Sequence, residues 1–297
     1  MDLGRVGLWH FLDVFPASIA RAAAREIEHL GFKALWIPEA LGREAFTHAG
    51  FLLGATERLI VATGIANVWA RDAMAMAAAQ KTLAEAYPGR FLLGIGVSHA
   101  PLVAGMRGHD YAQPLAYLRR YLDAMDAAPY MAAAPAEPPP RVLAALHPKS
   151  LALARERAWG SHPYFVPPEH TARARRALGP GKLLAPEQMV CLERDPPTAR
   201  AIARQAMRIY LGLPNYVRNL LSLGFTADDI ANGGSDRLVD AIVAWGGIEA
   251  IAARVKAHHD AGADHVCLQV LRANPNELPR EEWRELAAAL LRGRSVA

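Results

Sequence analysis

The chain has 297 residues and a formal net charge of +4, and 52% of its residues are hydrophobic. This length is ordinary for one (β/α)8 barrel, which takes about 250 residues, and the apolar fraction can fill a large core. The sequence contains no uncharged apolar stretch of about eighteen residues, so we expect no membrane span and no membrane partner.

The positive charge is scattered, with one dense cluster at Arg173, Arg175 and Arg176 on the expected solvent face of a helix. No aromatic residues alternate with these arginines, so we predict no nucleic-acid partner. The first residues do not combine a basic segment with an apolar block, which predicts no signal peptide. Cys191 and Cys267 lie in strand-like runs, which favours buried thiols of a cytoplasmic protein over a disulfide or metal pair.

The first half of the chain alternates short apolar runs with helical patterns. Strands are predicted at residues 5–10, 33–37, 58–66 and 90–96, and helices at 16–30 and 72–87. Such near-continuous apolar strands are typical of a buried parallel sheet.

The second half repeats this rhythm, with strands predicted at residues 141–146, 159–166, 183–192 and 263–271. Helices are predicted at 150–157, 168–178 and 281–291, and an interrupted helical stretch at 197–260. Eight strand/helix pairs predict an α/β fold, a (β/α)8 TIM-type barrel. We expect one domain over residues 1–297, with a helical insertion between strands seven and eight beside the active-site mouth.

Polar side chains follow the predicted strands where a barrel of this type has its chemistry, at the carboxyl ends. His10 ends the first strand and Glu39 follows the second, and Asn67 and His99 follow the third and fourth. A carboxylate at Glu39 can accept a hydrogen bond from a cofactor hydroxyl or take part in proton transfer. His10 is a candidate proton-transfer group, with a core-facing or indirect role as the alternative.

Four segments carry a family resemblance: ALWIPEALGRE (residues 34–44), ATGIANVWARD (62–72), GRFLLGIGVSHAP (89–101) and GSHPYFVPPEHT (160–171). They resemble the luciferase-like monooxygenase superfamily and, within it, the F420-dependent oxidoreductase branch. The resemblance implies coenzyme F420 as the cofactor, with FMN as the alternative, a small-molecule substrate and a homodimer.

The resemblance also implies a bulge at the end of the third strand. In similar F420 enzymes a non-proline cis peptide lies there behind one face of the deazaflavin ring, and Gly64–Ile65 is the matching bond. Ala66 then belongs to the cofactor wall, and Asn67 becomes a partner for the polar edge of the ring. The alternative is a glycine that only eases a barrel strand.

The pair Gly94 and Gly96 lacks the third glycine of a dinucleotide-binding fingerprint, because His99 stands in its place. We expect these glycines to let the cofactor approach the strand. Val97, Ser98 and His99 would then present N–H groups and side chains to its phosphodiester. An ordinary loop histidine is the alternative for His99.

A second group of cofactor residues is expected after the sixth strand. In similar proteins this region holds the phosphate-bearing chain, and here it offers Ser161, His162 and Tyr164. A Pro/aromatic loop that only caps the barrel is the alternative.

One departure from a similar enzyme bears on the substrate. The F420-dependent glucose-6-phosphate dehydrogenase has Asp-His where this sequence has Glu39 and Ala40. The acid–base histidine of that enzyme is therefore missing, which argues against sugar-phosphate oxidation.

Three functions remain open: F420-dependent hydride transfer, FMN-dependent oxygenation, and a non-catalytic flavin-binding barrel. No histidine, cysteine and aspartate set has metal-ligand spacing, so no metal is predicted. The triplet His258, His259 and Asp260 is expected to be exposed at the far end of the barrel.

Overall fold

The computed structural model describes residues 1–291, and these residues form an eleven-stranded sheet flanked by helices. All the strand pairs in the sheet are parallel. The strands are β1 (Val6–Trp9), β2 (Ala34–Ile37), β3 (Ile60–Thr63), β4 (Ala66–Asn67), β5 (Phe91–Gly96), β6 (Arg141–Leu143), β7 (Gly160–Ser161), β8 (Leu183–Leu184), β9 (Glu187–Cys191), β10 (Val243–Trp245) and β11 (Val266–Val270).

The sheet is strongly curled. Its strand order is β10-β9-β11-β1-β2-β3-β5-β6-β7-β8, and β4 lies beside β5. Strands β8 and β9 are separated only by Ala185 and Pro186. The Ala185 N–H donates to the Ser161 carbonyl at 2.9 Å on one side, and the Pro186 carbonyl accepts from Cys267 at 3.0 Å on the other. The run of chain from β8 to β9 therefore pairs with β7 through β8 and with β11 through β9.

The helices follow the strands along the chain and cover the sheet. They are α1 (Ala17–His29), α2 (Ala45–Leu53), α3 (Ala73–Ala86), α4 (Pro114–Ala127), α5 (Pro148–Arg157), α6 (Pro168–Leu178), α7 (Pro196–Leu211), α8 (Pro214–Ser222), α9 (Ala227–Ile230), α10 (Asp236–Ile242), α11 (Ile248–Asp260) and α12 (Arg280–Leu290). Short 3-10 turns cover Leu12–Val14 and Ala231–Gly233, and a π-helical segment covers Pro101–Met106. Asp72 caps α3 by accepting from the Ala75 N–H, as expected for an N-cap aspartate.

The strands bury different residues on their two faces because successive side chains alternate. Leu8, Leu35 and Leu93 pack against the helices in the largest core cluster. Trp9 and Trp36 belong to a second cluster that is drawn from the strands and the loops around them. This second cluster therefore fills the interior of the curled sheet.

The predicted helical insertion is confirmed. Helices α7 to α10 lie between β9 and β11 in the chain. They form a third core cluster with Met189 and Cys191 of β9 and with Phe165, through residues such as Met207 and Tyr216. The insertion is thus packed onto the strand ends near the predicted mouth.

The structure divides or shortens several predicted strands and adds one that was missed. The 58–66 strand breaks into β3 and β4 at the Gly64–Ile65 bond, and the 183–192 strand breaks at Ala185. The 159–166 strand keeps two residues, because Pro163 has no N–H with which to continue the ladder. Strand β10 was missed, because three apolar residues directly after α10 continue its helical pattern.

His258 was predicted to be exposed, and this was wrong. It is fully buried, and its ring bonds Thr171 and Gln188 at 2.8 Å each. Two arginines of the cluster that was expected on the solvent face also contact other side chains. Arg175 forms an ion pair with Asp264, and Arg173 donates a hydrogen bond to Ser222.

The two cysteines were predicted to be buried thiols, and this is confirmed: Cys191 and Cys267 are free and buried. Within residues 1–291, no helix has both the length and the apolar character needed to cross a membrane.

Candidate active site at the carboxyl ends of the strands

The strand ends form a partly open rim above a closed interior. The residues of β3 and β5 are buried throughout, whereas Gly64, Ile65, Val97 and Ser98, which follow these strands, are partly exposed. Parallel strands in such a sheet present their carboxyl ends on one side. These positions therefore mark the mouth where the site was predicted.

The predicted cis peptide between Gly64 and Ile65 is confirmed. The Gly64 N–H donates to the Ile37 carbonyl at 2.8 Å, and the Gly64 carbonyl accepts from the Trp9 indole at 3.3 Å. A Cβ atom at Gly64 would lie 2.6 Å from Trp9 Nε1 and 2.9 Å from His162 Nε2. Only glycine fits here, because those contacts are shorter than van der Waals separation.

Gly94 and Gly96 are also close-approach positions, but protein atoms take the space. A Cβ atom at Gly94 would lie 1.9 Å from the Thr63 carbonyl oxygen, and one at Gly96 would lie 3.0 Å from Ile65. This arrangement favours support of the Ile65 side chain by Gly96 over direct approach of a cofactor to the β5 backbone.

Glu39 is an anchor that ties three segments together. Its carboxylate accepts from the Asn67 N–H at 2.7 Å and from the Ala45 N–H at 3.1 Å, and it forms an ion pair with Arg71. Arg71 also bonds Glu44 at 2.8 Å. These contacts occupy both carboxylate oxygens, which favours a binding-site scaffold over proton transfer for Glu39.

Asn67 is buried at the end of β4 with one polar group free. Its Oδ1 accepts from the Trp69 N–H at 3.0 Å, which fixes the amide orientation. The Nδ2 group then has no partner among the described residues. An unused buried donor is costly, so it indicates a place for an acceptor that the protein itself does not supply.

His162 offers an acceptor in the interior of the sheet. Its ring stacks on Trp36 with centroids 4.2 Å apart, and its Nδ1 donates to the Ala185 carbonyl at 2.7 Å. Burial lowers the pKa of His162 to about 4, so the ring is neutral at pH 7. Its Nε2 is therefore a lone-pair acceptor, and it has no partner in the part of the chain described.

Tyr164 is partly buried at the mouth and continues the same inner face. Its ring lies 5.2 Å from the Trp9 ring, and its hydroxyl donates to Gln269 Oε1 at 2.7 Å. The Tyr210 hydroxyl of α7 donates to the Tyr164 oxygen at 2.7 Å. Burial raises the pKa of Tyr164 well above its usual range, which keeps this hydroxyl protonated.

Ser161, by contrast, is committed to the fold. Its hydroxyl is fully buried and donates to the Leu143 carbonyl at 3.0 Å. This contact favours a strand-pairing role over phosphate binding.

The segment Val97 to His99 is fixed by two aromatic side chains, one that precedes α3 and one that precedes α4. Trp69 donates to the Val97 carbonyl at 3.0 Å, and the Tyr111 hydroxyl donates to the Ser98 carbonyl at 2.6 Å. Ser98 has a φ of 56°, a left-handed conformation that is unusual for a residue other than glycine. His99 lies 4.9 Å, centroid to centroid, from Tyr216, and burial lowers its pKa to about 4.

His10 lies apart from this group. Strand alternation places it on the same face as Leu8, toward the helices, and its ring lies 5.4 Å from the Trp283 ring of α12. Burial lowers its pKa to about 4. This position favours the core-facing alternative for His10.

Sequence reasoning missed Trp9 as a wall of the site, Arg71 as the partner of Glu39, and Glu187 in the interior. Glu187 lies in β9 and is 1% exposed. The signal was present, since an acidic residue inside an otherwise apolar strand is rare unless it is paired or functional. Within residues 1–291, no three histidine, cysteine or acidic side chains are grouped as metal ligands.

Comparison with known proteins identifies the family of this chain. The luciferase-like monooxygenase family matches residues 2–265, and the chain belongs to this family. The fold, with its curled parallel sheet, matches the luciferase-like TIM-barrel structures.

Three similar proteins are described with one of two cofactors, F420 or FMN. A Mycobacterium tuberculosis protein, provisionally assigned as a coenzyme F420-dependent oxidoreductase, is 35% identical over 96 residues, which are 32% of this chain and 28% of that protein. The structure of an F420-dependent secondary alcohol dehydrogenase with an F420–acetone adduct aligns with a TM-score of 0.80 at 14% identity, over 98% of this chain and 99% of that one. The oxygenating component of 3,6-diketocamphane monooxygenase from Pseudomonas putida, in complex with FMN, aligns with a TM-score of 0.71 at 14% identity, over 95% of each chain.

Proposed function

We propose that this protein is an oxidoreductase that transfers hydride between coenzyme F420 and a small organic substrate. The observation that carries the proposal is a pair of buried groups without partners among residues 1–291, a donor at Asn67 Nδ2 and an acceptor at His162 Nε2. His162 lies beside Gly64, where a Cβ atom would be 2.9 Å from its Nε2, and Asn67 ends β4 three residues after Gly64. Ala66 packs in the helix-facing core cluster, so it does not form a wall of the site. A flat heterocycle with a carbonyl and a ring N–H offers the matching kinds of partner, an acceptor for the Asn67 donor and a donor for the His162 acceptor.

The residues present fit such a cofactor. Trp9 and Ile65 offer apolar surface, and the Glu39–Arg71 pair holds the backbone of Asn67 in place. Bound F420 supplies hydride chemistry at C5, either to an activated alkene, imine or carbonyl or, in reverse, from an alcohol. The protein orients the two reactants and excludes water from between them.

The proton that accompanies hydride transfer is assigned here to the Tyr164 hydroxyl. This group is partly buried at the mouth and remains protonated at physiological pH. Tyr210 donates to it and can restore the proton. Tyr164 replaces His10 as the acid because His10 packs on the opposite side of the β1 backbone.

The proposed cofactor region also includes Val97, Ser98 and His99, which would flank the phosphate-bearing chain. The positive net charge favours approach of the polyanionic tail of F420 through long-range attraction. We further propose a closed eight-stranded barrel in one domain, a homodimer in the cytoplasm, and no nucleic-acid or membrane partner.

The FMN-dependent monooxygenase is the second candidate, and the similar fold of an FMN-bound monooxygenase favours it. The ring edge that Asn67 and His162 would meet is common to both cofactors. The tail distinguishes them, because F420 carries oligoglutamate and FMN does not.

Parallel fluorescence titrations with F420 and FMN test the proposal. We expect at least a tenfold preference for F420, which corresponds to about 1.4 kcal/mol. The electrostatic part of the preference should weaken with salt, since charges are screened over about 10 Å at 0.1 M. Tight FMN binding without a response to F420 would put the monooxygenase first. A folded protein that binds neither would favour the non-catalytic barrel.

A further inference from the structure

A carboxylic acid lies in the interior of the curled sheet, directly beside the proposed site. Glu187 is the first residue of β9 and is 1% exposed. Its Oε2 accepts from the Phe165 N–H at 3.2 Å, whereas its Oε1 is buried without a partner among the described residues.

The strand register places Glu187 next to Tyr164. The Glu187 N–H donates to the Pro163 carbonyl at 2.9 Å, and on the other side Glu187 lies opposite Cys267 of β11. Glu187 and Tyr164 therefore belong to the same layer of inward-facing side chains.

Among the described residues, the titratable groups around Glu187 carry no charge that could balance an anion. They are the phenol of Tyr164 after β7, the thiol of Cys267 on β11, and the phenols of Tyr210 on α7 and Tyr216 on α8. The neutral imidazole of His162 lies behind Cys267, with its Nδ1 3.7 Å from the Cys267 Sγ. Within residues 1–291, Glu187 forms no ion pair with any lysine, arginine or histidine. Burial raises the pKa of Glu187 to about 8, so it is a neutral acid at pH 7.

The Phe165 backbone needs an external restraint. Its φ is 61°, in the left-handed region that costs a residue with a Cβ atom free energy and persists only where the surroundings enforce it. The Phe165 N–H is the group that Glu187 holds. Tyr164 immediately precedes this turn, so the turn decides where the Tyr164 ring and hydroxyl lie.

We propose that Glu187 is a positioning residue for the candidate site: as a neutral acid it anchors the Phe165 turn and thereby keeps the Tyr164 hydroxyl bonded to Gln269 and Tyr210. The reaction that this arrangement serves rests on the proposed function, but the arrangement itself does not. Ionisation of Glu187 puts an unbalanced charge into the interior. Water then enters, and Tyr164 moves away from Trp9.

The test uses the full-length protein without cofactor, and it compares the wild type with Glu187→Gln between pH 6 and 9. The glutamine keeps an acceptor for the Phe165 N–H but cannot ionise. Near-ultraviolet circular dichroism reports the packing of Tyr164 on Trp9, whose rings are 5.2 Å apart. We expect a change in the wild type centred near pH 8, a flat profile in Glu187→Gln, and unchanged far-ultraviolet signal in both.

Two further variants make the result specific. Tyr164→Phe should reduce the amplitude of the wild-type change without moving its midpoint, and Glu85→Gln, at an exposed position on α3, should behave as the wild type does. A flat wild-type profile, or the same transition in Glu187→Gln, would overturn the proposal. Failure to bind F420 would count against the proposed function alone, because the readout needs no cofactor.

Discussion

At the scale of single residues, Tyr164 carries the most specific chemical prediction. Its hydroxyl bonds Gln269 and Tyr210, so Tyr164→Phe removes the proton while leaving the ring on Trp9. General acid catalysis contributes about 10²- to 10⁴-fold. We expect kcat to decrease by about 10²- to 10⁴-fold, measured by single-turnover reduction. Cofactor affinity should stay within about twofold, measured by fluorescence titration.

Tyr210→Phe is the matched control for Tyr164→Phe. It keeps the aromatic packing and leaves the Tyr164 proton on Gln269, so a smaller fall in kcat is expected. Equal activity of Tyr164→Phe and the wild type would remove Tyr164 from the proposed reaction.

His99 tests the proposed cofactor tail region. Replacing His99 with alanine should weaken F420 binding by about tenfold, or about 1.4 kcal/mol, and should change turnover at saturating cofactor less. His109→Ala is the control, because His109 is an exposed histidine that follows the Pro101–Met106 segment. Unchanged affinity in His99→Ala would place His99 outside the cofactor site.

At the scale of elements, Arg71 and Glu39 join the end of β2 to β4 and to the start of α2. Their side chains are only 11% and 5% exposed, so removal of one partner leaves a buried charge. Breaking such a pair costs about 3–5 kcal/mol. We expect Arg71→Leu to lower the free energy of unfolding by an amount of this order in urea denaturation.

The exposed pair Lys256–Asp260 on α11 serves as the control for Arg71→Leu. Both of its side chains are more than half exposed, and exposed i,i+4 pairs contribute about 0.3–0.5 kcal/mol. Lys256→Ala should therefore change the urea midpoint little. A similarly small effect in Arg71→Leu would show that Glu39 finds other partners.

At the scale of the whole molecule, buried neutral histidines make stability depend on pH. Burial lowers the pKa from 6.5 to about 4, or to about 3 for His258, in His10, His48, His99, His162, His170, His258 and His265. Between pH 6.5 and 4 the unfolded chain binds more protons than the folded chain, so stability falls as pH falls.

We expect the free energy of unfolding to drop by at least about 3 kcal/mol across that window, since one pKa unit corresponds to about 1.4 kcal/mol. His48 isolates one contribution, because both its ring nitrogens are buried without partners among the described residues. His48→Leu should make the pH dependence shallower, and His29→Leu, at an exposed position, should not. Parallel curves for all three proteins would contradict this explanation.

The sequence by itself determined the alternation of strands and helices, the insertion before β11, and the bond at Gly64–Ile65 through its family resemblance. These features depend on local patterns: apolar runs, helix stops and a short motif. Strand boundaries failed where a local pattern was ambiguous, as at β10, or where Pro163 ended a ladder.

Only the tertiary structure decided which side chains face the site. The strands are buried on both faces, so both faces are apolar, and the sequence does not reveal which residues point inward. The register does so: it turns Trp9 inward and His10 outward, and it brings Glu187 beside Tyr164 although they are far apart in the chain. The groups of Asn67 and His162 that have no partner among residues 1–291 likewise emerge only after all other hydrogen bonds are assigned, because a residue type does not show which of its atoms the fold has already used.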